Sequence, residues 1–562
     1  MSDFADIIAL VRGGAEYLAR TRLCDEDHLP HGRRSYVWPL LAWMERHGEE
    51  GIWLAEAERI AEELDQTVRE NQSGETVIFP GLHHRRNYST NAIDCGTFVD
   101  SFYDFAALHR GSPHPLEKKV QAVALTYILK KITGRKDVHD QYLWAATGLA
   151  RHVRERADDP RAASSRRALE ATLDFWLSHH DVHGYSPYMQ SDPFMGGLTP
   201  YYFSRRIAFA HYIIEQAALR RPDIVETLLT ATRFLATLLR PDGTKEMLLE
   251  AKRYYFWGSY EADSHPFDIY AFGKAYEKTG DTFWIDAAAA SLRALLRAQC
   301  PNGAIRSRAD EGGVRDWQCD TMRTGHLAWL TRLPEDFLVR IATHSARTLC
   351  IPHPFNAPSP HRRVLLVGTP ERWIHVVAKK GQLAGHAGER ASGILIPTGA
   401  RVTDLRRPCL FHYRARGSPL RFLRRNRPAI AATFQYAVFH VWDCLVHKRA
   451  FGLAWAFLRD GFFGYLFVGL FTRSTEFATE LSGLVVRRNS IIHELTLSDV
   501  GGHQRVVIGR REIRWDENAV LQIEDRITAT SSLRFTLPRG SMNVRGPRTI
   551  NTTYSLHSRT DT

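Results

Sequence analysis

The sequence predicts an α+β protein of more than one domain: an N-terminal incomplete (α/α) toroid over residues 1–345, then an antiparallel β-sandwich domain over residues 346–562. Three observations support this fold class. The chain has 562 residues, more than the roughly 250–300 that one hydrophobic core supports. Apolar residues follow a helical spacing up to about residue 345. Beyond residue 360 they alternate with a period of two, as in strands.

Three short loops recur at nearly constant distance in the helical part, with their glycines 59 and 60 residues apart: His183-Gly184-Tyr185, Pro241-Asp242-Gly243 and Pro301-Asn302-Gly303. Each loop follows one predicted helix and precedes another. We expect these second helices to begin at Thr199-Pro200, His265-Pro266 and Asp316-Trp317. Further helices are predicted over 91–108 and 116–133. A period near 60 residues with two helices per unit is typical of an array of helical hairpins.

The C-terminal part contains short segments of alternating polarity that turn signals separate. They are predicted as strands over 364–367, 373–378, 484–488, 491–497, 506–514, 520–527 and 533–537. Short strands in this number are typical of an antiparallel sandwich.

A basic, aromatic stretch at about 401–475 fits neither domain and is predicted as an insert. Residues 401–427 contain nine arginines and one acid, Asp404, and aromatic, apolar sequence follows up to Phe471. Charged residues interrupt every apolar run before it reaches the ~20 residues that cross a bilayer. Two interpretations stay open for 401–471: peripheral contact with an anionic membrane surface, or a helical hairpin packed between domains.

The net charge of +12 makes polyanions the expected partners. No helix-turn-helix, zinc-knuckle or RNP signature accompanies it, so we expect no nucleic acid partner. Seven cysteines without CxxC spacing indicate reduced thiols and no structural zinc. Charges interrupt the first 24 residues, which argues against a signal peptide and predicts the cytoplasm. If 401–471 contacts a membrane, the expected surface is therefore its inner face.

Several kinds of site find no support in the sequence. No GxSxG elbow, phosphate-binding GxxxxGK[ST] loop or GxGxxG loop after a strand is present. His179 and His183 have the i, i+4 spacing of a metal pair, but Gly184 and Pro187 indicate that the helix ends there. We therefore expect neither a metal nor a cofactor, and the oligomeric state stays open.

Four clusters of aromatic, acidic, histidine and arginine residues precede or begin the predicted inner helices. Such mixtures suit a sugar cleft, because arginine binds carboxylates bidentately and acids, histidine or tyrosine transfer protons. The predicted substrate-binding residues are Tyr88, Asp94, Tyr185, Tyr260, Glu261, Asp268, Trp317, Asp320 and Arg323.

The segment Gly258-Ser259-Tyr260-Glu261, followed by Ser264-His265-Pro266-Phe267-Asp268-Ile269-Tyr270, resembles the heparinase II/III-like polysaccharide lyases. This resemblance implies an (α/α) toroid joined to a C-terminal antiparallel β-sheet domain. It also implies β-elimination, in which a tyrosine of this segment transfers a proton and an Asn, His or Arg neutralises the uronate carboxylate. Here Phe267 stands at the position of that tyrosine, and a phenyl ring transfers no proton.

We therefore predict that tyrosines one repeat earlier take over this role in cleaving an anionic, uronate-containing polysaccharide. Arg205 lies on the same helical face as Tyr201 and Tyr202, because it follows them by four and three residues. The predicted catalytic residues are Tyr202, Tyr201, His265, Asn91 and Arg205.

Two alternatives stay open for the same cleft. An inverting glycoside hydrolase would use paired carboxylates from among Asp94, Glu261, Asp268 and Asp320. A non-catalytic protein would bind or assemble polysaccharide in cell-surface polysaccharide production.

Overall fold

The computed structural model describes part of the chain. Its residues are 3–20, 35–48, 52–67, 69–70, 77–78, 88–109, 114–120, 124–132, 139–186, 200–239, 243–245, 261–306, 320–347, 364–369, 372–377, 383–387, 394–395, 412–415, 434, 438, 441–442, 445–446, 451–456, 458, 473–474, 476–477, 482–487, 490–498, 505–515, 520–537 and 540–555.

The chain divides into two compact units, one helical and ending at Pro352, the other running from His353 to Thr562 together with 190–198 and 248–257. The helices of the first unit are α1 Asp3–Arg20, α2 Val37–Arg46, α3 Ile52–Thr67, α4 Tyr88–His109, α5 Pro115–Lys119, α6 Leu125–Ile132, α7 His139–Glu155, α8 Ala162–Leu177, α9 Pro200–Gln216, α10 Pro222–Ala236, α11 Glu261–Thr279, α12 Phe283–Ala298, α13 Asp320–Gly325, a 3₁₀ helix His326–Arg332, and α14 Glu335–Arg347. A two-stranded antiparallel ladder, β1 Arg69–Glu70 and β2 Val77–Ile78, lies between α3 and α4.

Inner helices follow one another around a ring. In order, α2, α4, α7, α9, α11 and the 3₁₀ helix each pack against the next, and the 3₁₀ helix packs back against α2. Helices α8, α10 and α12 lie outside α7, α9 and α11 respectively. This alternation of inner and outer helices is the predicted helical toroid.

The repeated glycines explain the 60-residue period. Gly184, Gly243 and Gly303 all have positive φ, at 78°, 85° and 90°, which suits glycine because it lacks a Cβ. Each also presses on an outer helix: an added Cβ would lie 2.6 Å from Ala231 of α10, 1.8 Å from the Ala290 carbonyl oxygen of α12 and 2.0 Å from the Gly13 carbonyl oxygen of α1. Since the third glycine meets α1, the N-terminal helix stands where the next outer helix of the array belongs.

Local sequence sets several helix starts. Proline occupies the first position of α5, α9 and α10, where its missing N–H costs no helical hydrogen bond. At the start of α12, Oδ1 of Asp281 accepts a hydrogen bond from the Phe283 amide at 3.0 Å, which satisfies a free N–H of the first turn.

One helix prediction needs correction. Helix α11 begins at Glu261 and contains Pro266, whereas a start at His265-Pro266 was expected. Its first turn is held by buried polar contacts of Asp263 and Ser264, which outweigh the local preference. Helix α13 is described from Asp320 onwards, and the start expected at Asp316-Trp317 lies outside the described residues. The helix predicted over 116–133 is described as α5 and α6, and residues 121–123 between them lie outside the described residues.

The second unit contains antiparallel sheets. One sheet has the order β3-β4-β5-β6, from Val364–Thr369, Arg372–Val377, Leu383–Ala387 and Ile394–Leu395. The other has the order β10-β11-β12-β13-β7-β8, with β14 also on β13 and β9 on β11. Its strands are β7 His412–Ala415, β8 Arg473–Ser474, β9 Glu476–Phe477, β10 Val485–Arg487, β11 Ser490–Ser498, β12 Arg505–Trp515, β13 Val520–Leu537 and β14 Gly540–Ser555. A short helix, α15 Phe451–Ala456, lies between β7 and β8 in sequence.

The sheet differs from its prediction in three respects. The strands predicted over 520–527 and 533–537 are one strand, β13, whose pairing with β14 shifts register between Ala529 and Leu533. Strands β8, β9 and β14 were not predicted. Strand β7 lies inside the predicted insert and pairs with residues 533–536 of β13. Sheets of antiparallel strands are present, while the face-to-face sandwich stays a prediction.

Candidate active site

The buried carboxylate of Asp263 joins the first turns of two neighbouring inner helices, α9 and α11, to the 3₁₀ helix. Its Oδ2 accepts a hydrogen bond from the Tyr201 hydroxyl at 2.6 Å and lies 3.5 Å from Nη2 of Arg205. Its Oδ1 accepts a hydrogen bond from Nδ1 of His326. All four side chains are buried. We call Tyr201, Arg205, Asp263 and His326 the Asp263 cluster.

The charge of Asp263 is stabilised by its partners. Burial by itself raises the pKa of this carboxyl, but the charge and hydrogen bond of His326 and the charges of Arg205 and Arg323 outweigh burial and lower the pKa below its ordinary value. Asp263 is therefore an ionised acceptor, and the Tyr201 hydroxyl is the donor in their hydrogen bond.

Arg205 is fixed by rings as well as by Asp263. Its guanidinium carbon lies 3.8 Å from the ring centroid of Tyr201 and 4.7 Å from that of Trp144, within the range of cation–π attraction. The contact with Tyr201 is the one that their i, i+4 spacing predicts. Tyr202 lies beside this pair, with its ring centroid 5.0 Å from that of Tyr201, and its side chain is partly exposed.

Aromatic side chains of the inner helices pack against one another, and Phe267 is one of them. It is fully buried, with ring centroids of His326, Trp329 and Phe209 at 4.8, 5.3 and 5.5 Å. The residue at the position of the family's tyrosine thus belongs to the core of the helical unit. Its packing explains why an apolar ring suits this place.

A second buried network surrounds Asp268. Lys245, which lies in the loop after α10, forms an ion pair with Asp268 and donates to the hydroxyl oxygens of Ser204 and Ser264 at 2.8 Å each. Ser204 also donates to Oδ1 of Asp268. We call Lys245, Asp268, Ser204 and Ser264 the Lys245 network. It joins α9 and α11 to the loop that precedes α11.

Two predicted site residues belong to this network or adjoin it. His265 is fully buried, with Nδ1 at 3.4 Å from Oδ2 of Asp268. Asp268 is also fully buried and its charge faces the Lys245 ammonium. His265 was predicted as a catalytic residue together with Tyr201 and Tyr202, and the ion-pair contact described for it is with Asp268. Its catalytic role stays a prediction.

The remaining described candidates lie at different places in the unit. Arg323 is 5% exposed and its Nε donates to the Ile305 carbonyl oxygen at 3.2 Å. Asp94 is fully buried on α4. Tyr185 follows α8 and its ring packs edge-on against Phe234 of α10, with centroids 6.1 Å apart. Tyr185 is thus in contact with an outer helix.

Other candidates are only partly described or not at all. Tyr88, Asn91, Glu261 and Asp320 lie in the first turns of α4, α11 and α13, but their side chains fall outside the described residues. Tyr260 and Trp317 lie outside them altogether. Their roles stay predictions.

Sequence reasoning overlooked two residues that the structure makes central, Asp263 and Lys245. The repeat could have pointed to Lys245, because the residue 60 positions later is the apolar Ile305. The two positions are equivalent in the structure. Each forms an isolated β-bridge across its loop, Lys245 with Leu239 and Ile305 with Gln299. Ile305 is buried, so a lysine at the equivalent position is expected to be buried too. A buried ammonium group needs a buried acid as its partner. Asp263 had no comparable signal, because its partners are 58 to 63 residues away.

The described residues include no group of three or more His, Cys, Asp or Glu placed to hold a metal ion. The histidines at the end of α8 instead contact backbone carbonyls, His179 at 2.7 Å from the Phe175 oxygen and His180 at 2.9 Å from the Trp176 oxygen. Cys95 and Cys300 are free thiols.

Comparison with known proteins finds similarity in structure alone. No protein-family model and no curated protein matches the sequence. The structure is similar to heparinase III, with a TM-score of 0.46 and 9% identity over 92% of this chain and 66% of that one. It is similar to a heparan sulfate lyase from Pedobacter heparinus, with a TM-score of 0.44 and 8% identity over 89% of this chain and 62% of that one.

A polysaccharide lyase is similar as well, with a TM-score of 0.44 and 11% identity over 61% of this chain and 99% of that one. The chain spans less than two thirds of the length of the heparan sulfate lyase from Pedobacter heparinus.

Proposed function

We propose that this chain is a carbohydrate-active enzyme that cleaves an anionic, uronate-containing polysaccharide by β-elimination. The observation that carries the proposal is the arrangement at the start of α9: a partly exposed tyrosine, Tyr202, next to a tyrosine and an arginine that the ionised Asp263 holds in place.

Elimination needs a proton to leave C5 of the uronate, a double bond to form between C4 and C5, and the C4–O bond to break, with a proton for the leaving oxygen. In this proposal Tyr202 transfers protons, because it is the partly exposed member of the pair. Tyr201 and Asp263 act as positioning residues. A phenolate is stabilised by a nearby cation, and Arg205 lies one helical turn from Tyr202.

A uronate carboxylate must be neutralised before its α-proton becomes acidic, and Arg205 and Asn91 are proposed for this role. Asn91 is in the first turn of α4, also at the N-terminal end of an inner helix. His265 stays a candidate for the second proton transfer, and His326 joins it because it contacts Asp263 directly.

The hydrolase alternative needs two accessible carboxylates. Asp268 is less suited to that role, because Lys245 and Ser204 occupy its oxygens inside the core. The non-catalytic alternative has one observation in its favour, Phe267 in the place of the family's tyrosine, and would leave the cleft as a surface that binds or assembles polysaccharide.

A screen of acidic polysaccharides, heparan sulfate included, separates the three possibilities. Elimination gives a 4,5-unsaturated uronate that absorbs ultraviolet light together with a new reducing end. Hydrolysis gives the reducing end without the absorbance. Binding without either product supports the assembly protein, and reducing ends without absorbance would overturn the lyase proposal.

A further inference from the structure

The segment 434–446 presents apolar side chains outward. Each of its described residues is helical and apolar: Phe434, Val438, Val441, Trp442, Leu445 and Val446. All except Val441 are exposed, with Phe434 at 51% and Trp442 at 58%. Steps of four, four and three residues from Phe434 to Leu445 place these side chains on one helical face.

Helix α15 repeats this arrangement a few residues later. Phe451 and Trp455, four residues apart, are 70% and 58% exposed, while Ala454 is buried. Among the side chains that the structure describes in α15, the two large aromatic ones are therefore exposed, unlike those of an ordinary surface helix.

Exposed apolar residues are concentrated here within the described part of the chain. Elsewhere in that part the large exposed apolar residues are Val182, Val339 and Val485, which are isolated valines of a kind that needs no explanation. Every exposed phenylalanine or tryptophan in the described part lies between 434 and 455. A contiguous set of exposed aromatic residues marks an interaction surface.

The charge of the neighbouring sequence favours one kind of partner. In the sequence, Lys448 and Arg449 stand between the two apolar segments, and 401–427 contains nine arginines and a single acid. Basic residues beside exposed tryptophan and phenylalanine are what an anionic lipid surface binds, because the rings enter the boundary between headgroups and acyl chains while the cations meet the headgroups. A protein partner would not require so one-sided a charge.

The same segment is suited to lie on a bilayer and not to cross it. In the described residues no helix combines the length and the apolar character that crossing requires. We propose that the exposed side chains of Phe434, Val438, Trp442, Leu445, Phe451 and Trp455, which we call the 434–455 face, dock this chain on the surface of an anionic lipid bilayer. The proposal is independent of the lyase function.

Co-sedimentation of the full-length protein with lipid vesicles tests this proposal. We expect binding to vesicles that contain phosphatidylglycerol and weaker binding to pure phosphatidylcholine. Replacing both tryptophans, Trp442→Ser with Trp455→Ser, should weaken binding to the anionic vesicles by about a hundredfold, since each aromatic ring that enters the membrane contributes about a factor of ten. The matched control, Val182→Ser with Val485→Ser, removes exposed apolar residues elsewhere and should bind like the unaltered protein.

Both variants change exposed side chains, so their circular dichroism spectra should match that of the unaltered protein. Equal binding of the tryptophan variant and its control would overturn the proposal, and so would equal binding to neutral and anionic vesicles. A third outcome also overturns it: a dimer of the unaltered protein that the tryptophan variant dissociates, without any vesicle binding, would assign the face to a second copy of the chain. A failed polysaccharide screen leaves each of these outcomes unchanged.

Discussion

The Tyr201 hydroxyl donates a 2.6 Å hydrogen bond to Asp263, a residue 62 positions later in the chain. This bond joins the second residue of α9 to the third residue of α11, and Arg205 and His326 share the same carboxylate. The partly exposed Tyr202 therefore stands on a helix start that buried charges hold in place, as proton transfer to a bound substrate requires.

The first prediction separates the two tyrosines. On the polysaccharide that the screen identifies, Tyr202→Phe should lower the rate of elimination by about 100-fold or more, because general acid–base catalysis contributes roughly 10²–10⁴. Its unfolding temperature should fall less than that of Tyr201→Phe, because Tyr202 is partly exposed whereas the Tyr201 hydroxyl donates to the buried Asp263. Ultraviolet absorbance of the product and thermal unfolding are the measurements.

Tyr201→Phe is the matched variant. It should lower the stability of the protein more, and the rate of elimination less, than Tyr202→Phe does. It removes a hydrogen bond to a buried charge, which costs about 1.5–3 kcal/mol of stability. Full elimination activity in Tyr202→Phe would show that another residue transfers the proton.

The second prediction concerns the charge of Asp263. Asp263→Asn leaves Arg205 and His326 buried with a neutral partner, so we expect a loss of about 3–5 kcal/mol in the free energy of unfolding, as for other broken buried pairs. The control Asp223→Asn removes one carboxylate from a surface ion pair with Arg221, and such pairs contribute about 0–1 kcal/mol. Urea unfolding measures both, and similar losses in the two variants would contradict the role of the cluster.

The 60-residue repeat and the contact of Arg205 with Tyr201 could be predicted from the sequence, because both depend on residues that are close together in the chain. The loop of each repeat has a position with positive φ and no room for a Cβ, which only glycine suits. The 60-residue period is therefore visible in the sequence as the spacing of Gly184, Gly243 and Gly303. The contact between Tyr201 and Arg205 follows from helix geometry alone.

The sites that escaped prediction depend on contacts between distant segments. Nothing near Asp263 in the sequence indicates that Tyr201 and His326 reach it. Pro266 suggests a helix start, and only the buried contacts of the preceding turn show why the helix begins at Glu261. The register shift in β13 resembles a turn in the sequence, since residues 528–532 are small or polar.

The third prediction tests whether the Lys245 network contributes as a pair. Lys245→Met should destabilise the protein by about 3–5 kcal/mol, because it leaves the Asp268 carboxylate buried without its cation. Adding Asp268→Leu removes that charge, and we expect the double variant to be more stable than Lys245→Met alone. Urea unfolding of both single variants and the double variant gives the coupling energy. Additive losses would mean that the two residues stabilise the ring independently.

The fourth prediction is a pH dependence from buried histidines. Burial lowers the pKa of His211 to about 3, with smaller contributions from the charges of Lys278 and Lys274. The Thr232 hydroxyl donates to the Leu228 carbonyl and so accepts from Nε2 of His211, which requires only the neutral ring. Between pH about 3 and about 6.5 the unfolded chain binds a proton that the folded protein does not.

The stability that His211 contributes is therefore complete above pH about 6.5 and declines as the pH falls towards 3, with a slope of about 1.4 kcal/mol per pH unit for one histidine. His211→Gln keeps a donor for Thr232 without a titrating ring, so its stability should change less steeply in this range. The exposed His183 provides the control. Chemical unfolding at a series of pH values gives the slopes, and an equal slope in His211→Gln and His183→Gln would contradict the burial argument.

The fifth prediction isolates the cause of the repeated glycines. Gly243 and Gly280 both have positive φ, at 85° and 67°. An added Cβ at Gly243 would lie 1.8 Å from the Ala290 carbonyl oxygen, whereas at Gly280 nothing lies within 4 Å. Gly280→Ala should therefore lower the free energy of unfolding by only about 1–2 kcal/mol, the cost of placing a residue with a Cβ at positive φ. Gly243→Ala adds overpacking of roughly 1–3 kcal/mol against α12, which brings its expected loss to about 2–5 kcal/mol in urea unfolding. If the two variants lose the same stability, the period reflects backbone conformation alone and not the close approach of each loop to the next outer helix.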